Sequence, residues 1–185
     1  MMQYLLPSLR LWLVTMLVCV VGYSALVLGF AQTVTPFRAN GSIIEVGGRA
    51  VGSALVGQDF TSPGYFWPRP SAAGYNAMGA MGSNLSPTSE KLAERAAETV
   101  ARYGATAATP LPADLVAASG GGLDPHISLA GALYQVPRVA AARGMEESAV
   151  RQLTERAAFA PGGILAPDPI VNVLELNLAL DRVEG

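Results

Sequence analysis

Residues 11–30 read LWLVTMLVCVVGYSALVLGF and contain neither a charged residue nor a proline. A helix needs about 20 apolar residues to cross a bilayer core of about 30 Å. This stretch meets that requirement, and no later part of the chain does. The sequence therefore predicts an N-terminal tail and transmembrane anchor at residues 1–31, a linker at 32–41 and one soluble domain at 42–185.

The charges that flank the apolar stretch predict its orientation. Arg10 lies directly against it, whereas Arg38 lies several residues beyond its other end. Because flanking positive charge stays in the cytoplasm, we expect a cytoplasmic N-terminus and an outward-facing domain. In a bacterium this is a single-pass protein of the inner membrane with a periplasmic domain, in contact with membrane lipid. The alternative is a signal peptide cleaved before Gln32, although signal cores are usually only about 7–15 residues long.

Composition limits the chemistry that the soluble domain can perform. Charged residues make up only 14% of the chain, below the usual quarter, and a surface so poor in charge often has a partner covering part of it. The single cysteine, Cys19, lies in the apolar stretch, and His126 is the one histidine. We therefore expect no metal site, no catalytic residue and no firmly bound cofactor.

Net charge argues against one class of partner. Residues 1–37 contain one arginine and no acid, so the remainder carries 11 basic and 14 acidic residues, a net charge of −3. No basic patch stands out, and nucleic acid is not an expected partner.

The pattern of the soluble domain is typical of an α+β fold. Two β-branched runs flank Gly47-Gly48, a pair that tolerates positive φ, and predict a hairpin with strands at residues 42–46 and 50–56. Apolar periodicity and capping residues predict helices at 89–103, 128–143 (bent at Pro137) and 146–159, with a short turn near Asp114. The last segment, 170–183, is expected to start extended and become helical after Asn172, with Val183 among its buried residues.

Three consecutive aromatic residues, Tyr65, Phe66 and Trp67, precede a proline-flanked Arg69. Aromatic and arginine side chains dominate binding at many interfaces, so these four residues are candidates for a partner interface. The alternative is that Phe66 and Trp67 close the core over the hairpin. Both hold if alternate side chains face opposite ways.

A glycine triplet, Gly120, Gly121 and Gly122, precedes Asp124 and His126. Consecutive backbone N–H groups can bind an anion, which makes a ligand-binding module one alternative function. Ser119, Asp124 and His126 have the residue types of a hydrolytic triad, which makes an anchored or secreted envelope hydrolase another. The simpler interpretation is that these residues structure a tight loop.

Several motifs, in order along the chain, resemble the C subunit of the bacterial Kdp potassium-transporting ATPase. They are VGSALVGQ (51–58), YFWPRPSA (65–72), YN (75–76), GSNL (82–85), DLV (114–116), GLDPHIS (122–128), QVPRVA (135–140) and VNVLELNLALD (171–181). Two positions depart from the family pattern: Gly121 stands where serine is usual, and Ser86 where glycine is usual.

The resemblance implies a role in high-affinity, ATP-driven potassium uptake. The implied partners are a channel-like potassium-selecting subunit, a P-type ATPase subunit and a small single-span subunit. It also implies a non-catalytic subunit that stabilises assembly and acts as a catalytic chaperone, raising the ATPase subunit's affinity for ATP. A glutamine of the family is proposed to contact nucleotide, and Gln135 is the matching position, so ATP would be met only through the complex.

Overall fold

The computed structural model describes residues 2–163, 165 and 168–184, with side chains at 3–163, 165 and 168–183. The chain divides into two compact units, Met1–Ile43 and Ile44–Gly185.

The first unit is dominated by one long helix. Helix α1 (Met2–Met16) continues through a π-helical segment (Leu17–Gly22) into α2 (Tyr23–Val34), and a short α3 (Pro36–Ala39) follows. Residues Gln3–Val34 are long and apolar enough to cross a membrane, and none of the apolar window is buried within the chain. At 1.5 Å per residue this helix is about 48 Å long. It extends past residues 11–30 at both ends, and it ends at Val34 because Pro36 disfavours a helical conformation of the preceding Thr35.

A hairpin opens the second unit. Strands β1 (Ile43–Val46) and β2 (Arg49–Ser53) are hydrogen-bonded neighbours, and the turn between them places Gly47 and Gly48 at φ of 58° and 76°. The predicted hairpin is confirmed. Its second strand ends at Ser53 rather than at residue 56, because the Val56 N–H turns back to donate to the Ser53 carbonyl.

The predicted helices are present with small shifts in their ends. They are α4 (Glu90–Tyr103), α5 (Ala113–Val116), α6 (Leu129–Arg143) and α7 (Glu147–Ala157). The Ser128 hydroxyl caps α6 by accepting from the Gly131 N–H at 2.8 Å. Helix α7 stops before Phe159 because Phe159 instead exchanges both backbone hydrogen bonds with Ile170.

A second pair of strands was not predicted. Strand β3 (His126–Ser128) pairs antiparallel with β4 (Ile170–Asn172), with Ile127 opposite Val171. The chain passes directly from β4 into α8 (Val173–Glu184), which confirms the extended start and helical continuation expected of this segment. Strands of three residues are too short to show a hydrophobic period, which is why sequence analysis missed the pairing.

The core lies around this second pair and not around the first hairpin. Helix α6 packs on α7, and α7 packs on α8. The fold is α+β, as predicted, but Val183 is 60% exposed, so its predicted burial is wrong. It lies one turn beyond Leu180, the last core residue of α8. The buried core residues are Phe66, Leu115, Ile127, Ala132, Val136, Val139, Ala140, Val150, Val171, Val173, Leu176 and Leu180.

Candidate functional site

The three aromatic residues at 65–67, here called the aromatic segment, lie inside the second unit. Phe66 has no exposed surface and Trp67 is only 7% exposed. The Trp67 indole N–H donates to the Ser62 carbonyl at 2.9 Å. Phe66 and Trp67 are therefore buried, as one of the two alternatives expected, but the core that contains Phe66 includes no residue of the hairpin, so the expected position over the hairpin is wrong. Their role at a partner interface stays a prediction.

Two buried amide side chains hold the aromatic segment, and we call them the amide clamp. The Asn177 side chain of α8 accepts from the Phe66 N–H at 2.8 Å and donates to the Phe66 carbonyl at 3.0 Å. The Gln135 side chain of α6 does the same for Trp67, at 2.8 and 3.1 Å. Each amide thus makes the two hydrogen bonds that a neighbouring β-strand would otherwise make to this extended backbone. These bonds matter because a buried backbone N–H or carbonyl group without a partner destabilises the fold.

Arg138 completes the clamp one helical turn beyond Gln135. Its guanidinium lies 3.7 Å from the centre of the Trp67 ring and donates to the carbonyls of Pro63 and Tyr65 and to the Gln135 side-chain oxygen. Burial lowers the pKa of Arg138 to about 10, so the side chain stays charged at neutral pH. A planar, charged donor suits this stacked, many-acceptor position.

A second arginine fixes the other end of the segment. Arg143 pairs with Asp181 at 2.8 Å, and its guanidinium lies 4.7 Å from the centre of the Tyr65 ring. The Tyr65 hydroxyl donates to the other Asp181 oxygen at 3.2 Å. Helices α6 and α8 thus both contribute to holding Tyr65.

This geometry bears on the nucleotide contact expected of Gln135. The residue is only 1% exposed, its oxygen accepts from Trp67 and Arg138, and its nitrogen donates to Trp67 and Gly131. A nucleotide that bound this amide would have to replace hydrogen bonds that hold the fold. The contact stays a prediction, and the observed partners give the amide a structural role.

Arg69 lies apart from the clamp, against the glycine-rich loop. Its guanidinium pairs with Asp124 at 3.1 Å and donates to the carbonyls of Ala117 and Ala118. Asp124 also accepts from the His126 N–H at 3.0 Å. Burial raises the pKa of Asp124, but the hydrogen bonds that Asp124 accepts from His126, together with electrostatic interaction with His126 and Arg69, outweigh burial and lower the pKa overall.

Only one glycine of the triplet is sterically required in the chain as described. Gly122 has φ of 73°, and a Cβ there would lie 2.6 Å from the Met81 carbonyl oxygen. A Cβ on Gly120 or Gly121 would meet nothing within 4 Å. Gly122, rather than the triplet as a whole, therefore lets the loop that contains Ala73 and Met81 approach closely.

The residues of the hydrolase alternative do not form a proton relay. Ser119 is only 3% exposed, and its hydroxyl accepts from the Asp124 N–H at 3.2 Å. The His126 ring nitrogen Nδ1 meets Asp124 at 3.2 Å, and the described hydrogen bonds include none between Ser119 and His126. Within the residues searched, no group of histidine, cysteine or acidic side chains is arranged to hold a metal ion.

Comparison with known proteins decides the family. Residues 5–182 match the family model described as KdpC, the K⁺-transporting ATPase c chain. The chain belongs to the KdpC family. Similar proteins, each named potassium-transporting ATPase KdpC subunit, occur in Parvibaculum lavamentivorans (61% identical over 99% of this chain and 98% of the relative) and Cereibacter sphaeroides (48%, over 98% of each). A third, from Serratia proteamaculans, is 44% identical over 99% of this chain and all of the relative.

KdpC membership accounts for the recognised motifs, but sequence analysis missed most of the clamp. Asn177 lies on the buried face of α8, between Leu176 and Leu180 in the sequence. A polar residue among buried apolar ones is the feature from which sequence analysis could have inferred a buried hydrogen bond. Arg138 lies one turn from Gln135, a spacing that brings side chains together on a helix. Neither observation identifies the backbone groups that these side chains bind.

Proposed function

We propose that this chain is a non-catalytic accessory subunit of a high-affinity, ATP-driven potassium-uptake complex. Its one transmembrane helix anchors it in the bacterial inner membrane, and its soluble domain docks on the channel-like subunit. The family match over nearly the whole chain carries this proposal. The names of the relatives describe them as subunits of a potassium-transporting ATPase, which supports both the transported ion and the role as a subunit.

The long helix supports an anchor that also contacts partner spans. None of its apolar window is buried, so we expect lipid or other helices to cover it. Gly22, Ala25 and Gly29 are small residues that let helices approach closely in a bilayer. The small single-span subunit and the channel-like subunit are the partners available to it.

The charge next to the helix supports an outward-facing domain. Arg10 precedes the apolar stretch directly, and such charge favours the cytoplasmic side. The domain has no cysteine. The orientation of the domain can therefore be tested with a double variant, Cys19→Ala plus Ser148→Cys, which places a single cysteine at an exposed position of α7. A membrane-impermeant maleimide should label Ser148→Cys in intact cells, whereas labelling only after lysis would reverse the proposed orientation.

The catalytic work belongs to another subunit. The sequence has no Asp-Lys-Thr-Gly phosphorylation motif, and Lys91 is its only lysine, so no Walker loop is present. We propose that the chain stabilises assembly and raises the ATP affinity of the ATPase subunit from outside the catalytic centre. An outward-facing domain does not meet cytoplasmic ATP directly, which favours an effect transmitted through the partners.

Purification with a tag on the ATPase subunit tests both parts. We expect the chain to co-purify in a fixed ratio, and the KM for ATP to rise when the complex is prepared without it. The purified chain alone should not turn over ATP. An ATP affinity that is the same with and without the chain would refute the chaperone role, and absence of the chain from the complex would refute the subunit role.

A further inference from the structure

The chain folds back on itself directly after the long apolar helix. Helix α2 ends at Val34, and α3 follows after one residue. The side-chain amides of Gln32 and Asn40, eight positions apart, donate one hydrogen bond to each other, at 3.1 and 3.2 Å. This amide pair turns the chain after α3 back to the level of Gln32. Residues 32–40 thus form a folded turn, which we call the helix joint.

The two threonines of the helix joint also find hydrogen-bond partners within the chain. The Thr33 hydroxyl donates to the carbonyls of Gly29 and Phe30, at 3.0 and 2.9 Å. The Thr35 hydroxyl donates to the Ala31 carbonyl at 3.3 Å. All the polar side chains of the joint are exposed in the chain. An exposed group in water gains little from an internal partner, whereas a polar group in lipid has to be satisfied internally.

Arg38 is the exception among the polar side chains of the joint. It is exposed, and its guanidinium makes no hydrogen bond or ion pair with any residue that the structure describes. The apolar side chains beside it are exposed as well: Phe37 is 56% exposed, Val34 58% and Phe30 65%. An apolar surface with one arginine fits the level at which acyl chains meet phosphate groups, because arginine lays its stem on apolar surface and binds phosphate with its planar donors.

The length of the helix places the joint at the bilayer surface. As a helix, the apolar stretch at residues 11–30 is about 30 Å long, which matches the hydrocarbon core. Residues 31–34 extend the helix by about 6 Å, and the headgroup region on each side of a bilayer is about 5–8 Å thick. Helix α3 therefore begins among the headgroups. Because the amide pair turns the chain back, Phe37 and Arg38 stay close to this depth.

We infer that the helix joint is seated in the bilayer interface on the side of the soluble domain, with Phe37 among acyl chains and Arg38 on the phosphate of an anionic lipid. This inference rests on the proposed function, which makes the long helix a membrane anchor. The occupant is lipid because the joint continues directly from a helix that spans lipid, and because its amides and hydroxyls already have partners. A neighbouring protein span is the competing occupant, and it would cover Phe37 only in the assembled complex.

Fluorescence quenching at single cysteines tests the depth of the joint. In a Cys19→Ala background, Phe37→Cys, Leu26→Cys and Ser148→Cys each carry the same environment-sensitive label, and the full chain is placed in vesicles of phosphatidylcholine and phosphatidylglycerol. Leu26 lies within the apolar stretch, and Ser148 is an exposed position of α7. We expect nitroxide at the lipid headgroup to quench the label at residue 37, and nitroxide deep in the acyl chains to quench the label at residue 26. Acrylamide in the water should quench only the label at residue 148.

The outcomes separate the inference from the proposed anchor. Acrylamide quenching at residue 37 as strong as at residue 148 would overturn the inference and leave the anchor standing. Shielding of residue 37 that appears only after assembly with the other subunits would assign the joint to a partner protein and would also overturn it. Absence of lipid quenching at residue 26 would remove the anchor itself.

Replacing the arginine tests the lipid charge. In vesicles that contain phosphatidylglycerol, Arg38→Gln should shift the label at residue 37 from lipid toward water about fivefold in the equilibrium between the two. The shift should be smaller in phosphatidylcholine alone, and Arg151→Gln at an exposed position of α7 should cause none. An equal effect of Arg38→Gln in both kinds of vesicle, or no effect in either, would overturn the assignment of Arg38 to an anionic headgroup.

Discussion

Replacing Gln135 by methionine separates a structural role of its amide from a nucleotide contact. Methionine is unbranched and close to glutamine in size, so Gln135→Met removes the hydrogen bonds without leaving a large cavity. The change deprives both the N–H and the carbonyl of Trp67 of their partner. It also takes one acceptor from Arg138. A comparison variant, Gln152→Met, places the same substitution at an exposed position of α7.

The observed hydrogen bonds determine the size of the effect. Leaving one buried backbone group unpaired costs about 1–3 kcal/mol, and Trp67, which is 7% exposed, would have two such groups. We therefore expect Gln135→Met to lower the free energy of unfolding by about 3 kcal/mol. For a domain of this size that corresponds to a fall of about 6–12 °C in the unfolding midpoint. Gln152→Met should stay within about 0.5 kcal/mol of the wild type.

Thermal unfolding of the full chain in detergent, followed by tryptophan fluorescence, measures this effect because Trp67 lies beside the substitution. The same two variants are then assembled into the complex, and the KM for ATP is determined. A midpoint that is unchanged in Gln135→Met would refute the structural role. If the KM for ATP also rose while the midpoint stayed the same, the amide would be acting as a nucleotide contact instead.

Three further substitutions test the rest of the site. Arg138→Lys should lower the free energy of unfolding, measured by urea titration, by about 2 kcal/mol, since lysine cannot reproduce the planar arrangement of donors in arginine. In the same titration, Arg151→Lys at an exposed position of α7 should leave the free energy of unfolding unchanged. Gly122→Ala should cost about 2 kcal/mol because of its positive φ and the close Met81 carbonyl; a comparable loss in Gly120→Ala would contradict this reasoning. Asp124→Asn should have a lower free energy of unfolding than the wild type above about pH 5. The pKa of Asp124 is lowered in the folded protein, so its carboxylate stabilises the fold only while it is ionised, and the difference between the two proteins should shrink as the pH falls and Asp124 is protonated. A gap that does not depend on pH from 7 down to 2 would contradict the ionic role of Asp124.

Local patterns in the sequence predicted the elements of the fold well. The Gly47-Gly48 turn, the Ser128 cap and the glycine that ends α6 each act through neighbouring residues, so each can be recognised in a short stretch of sequence. The β3–β4 pairing depends on contacts between distant segments that are only three residues long. No short stretch of sequence contains a pattern that indicates such a pairing. Sequence analysis therefore predicted a sheet only at the hairpin.

The site was predicted less completely for the same physical reason. The aromatic run and Arg69 attracted attention because of their residue types, but side-chain type does not reveal which way a segment faces. The amide clamp depends on Gln135 and Asn177 lying on two helices that meet the same extended backbone. Buried polar residues on otherwise apolar helix faces, such as Asn177, are the most useful sequence indication of this kind of contact.

Potassium uptake at low external potassium is the measurement that tests the central claim most directly. Cells that express the other subunits without this chain should fail to take up potassium, and the full-length chain should restore uptake when supplied in trans. Restoration should require the anchor, so a chain lacking residues 1–31 should not restore it. Uptake that is unaffected by loss of the chain would contradict its role as a subunit of the transporter.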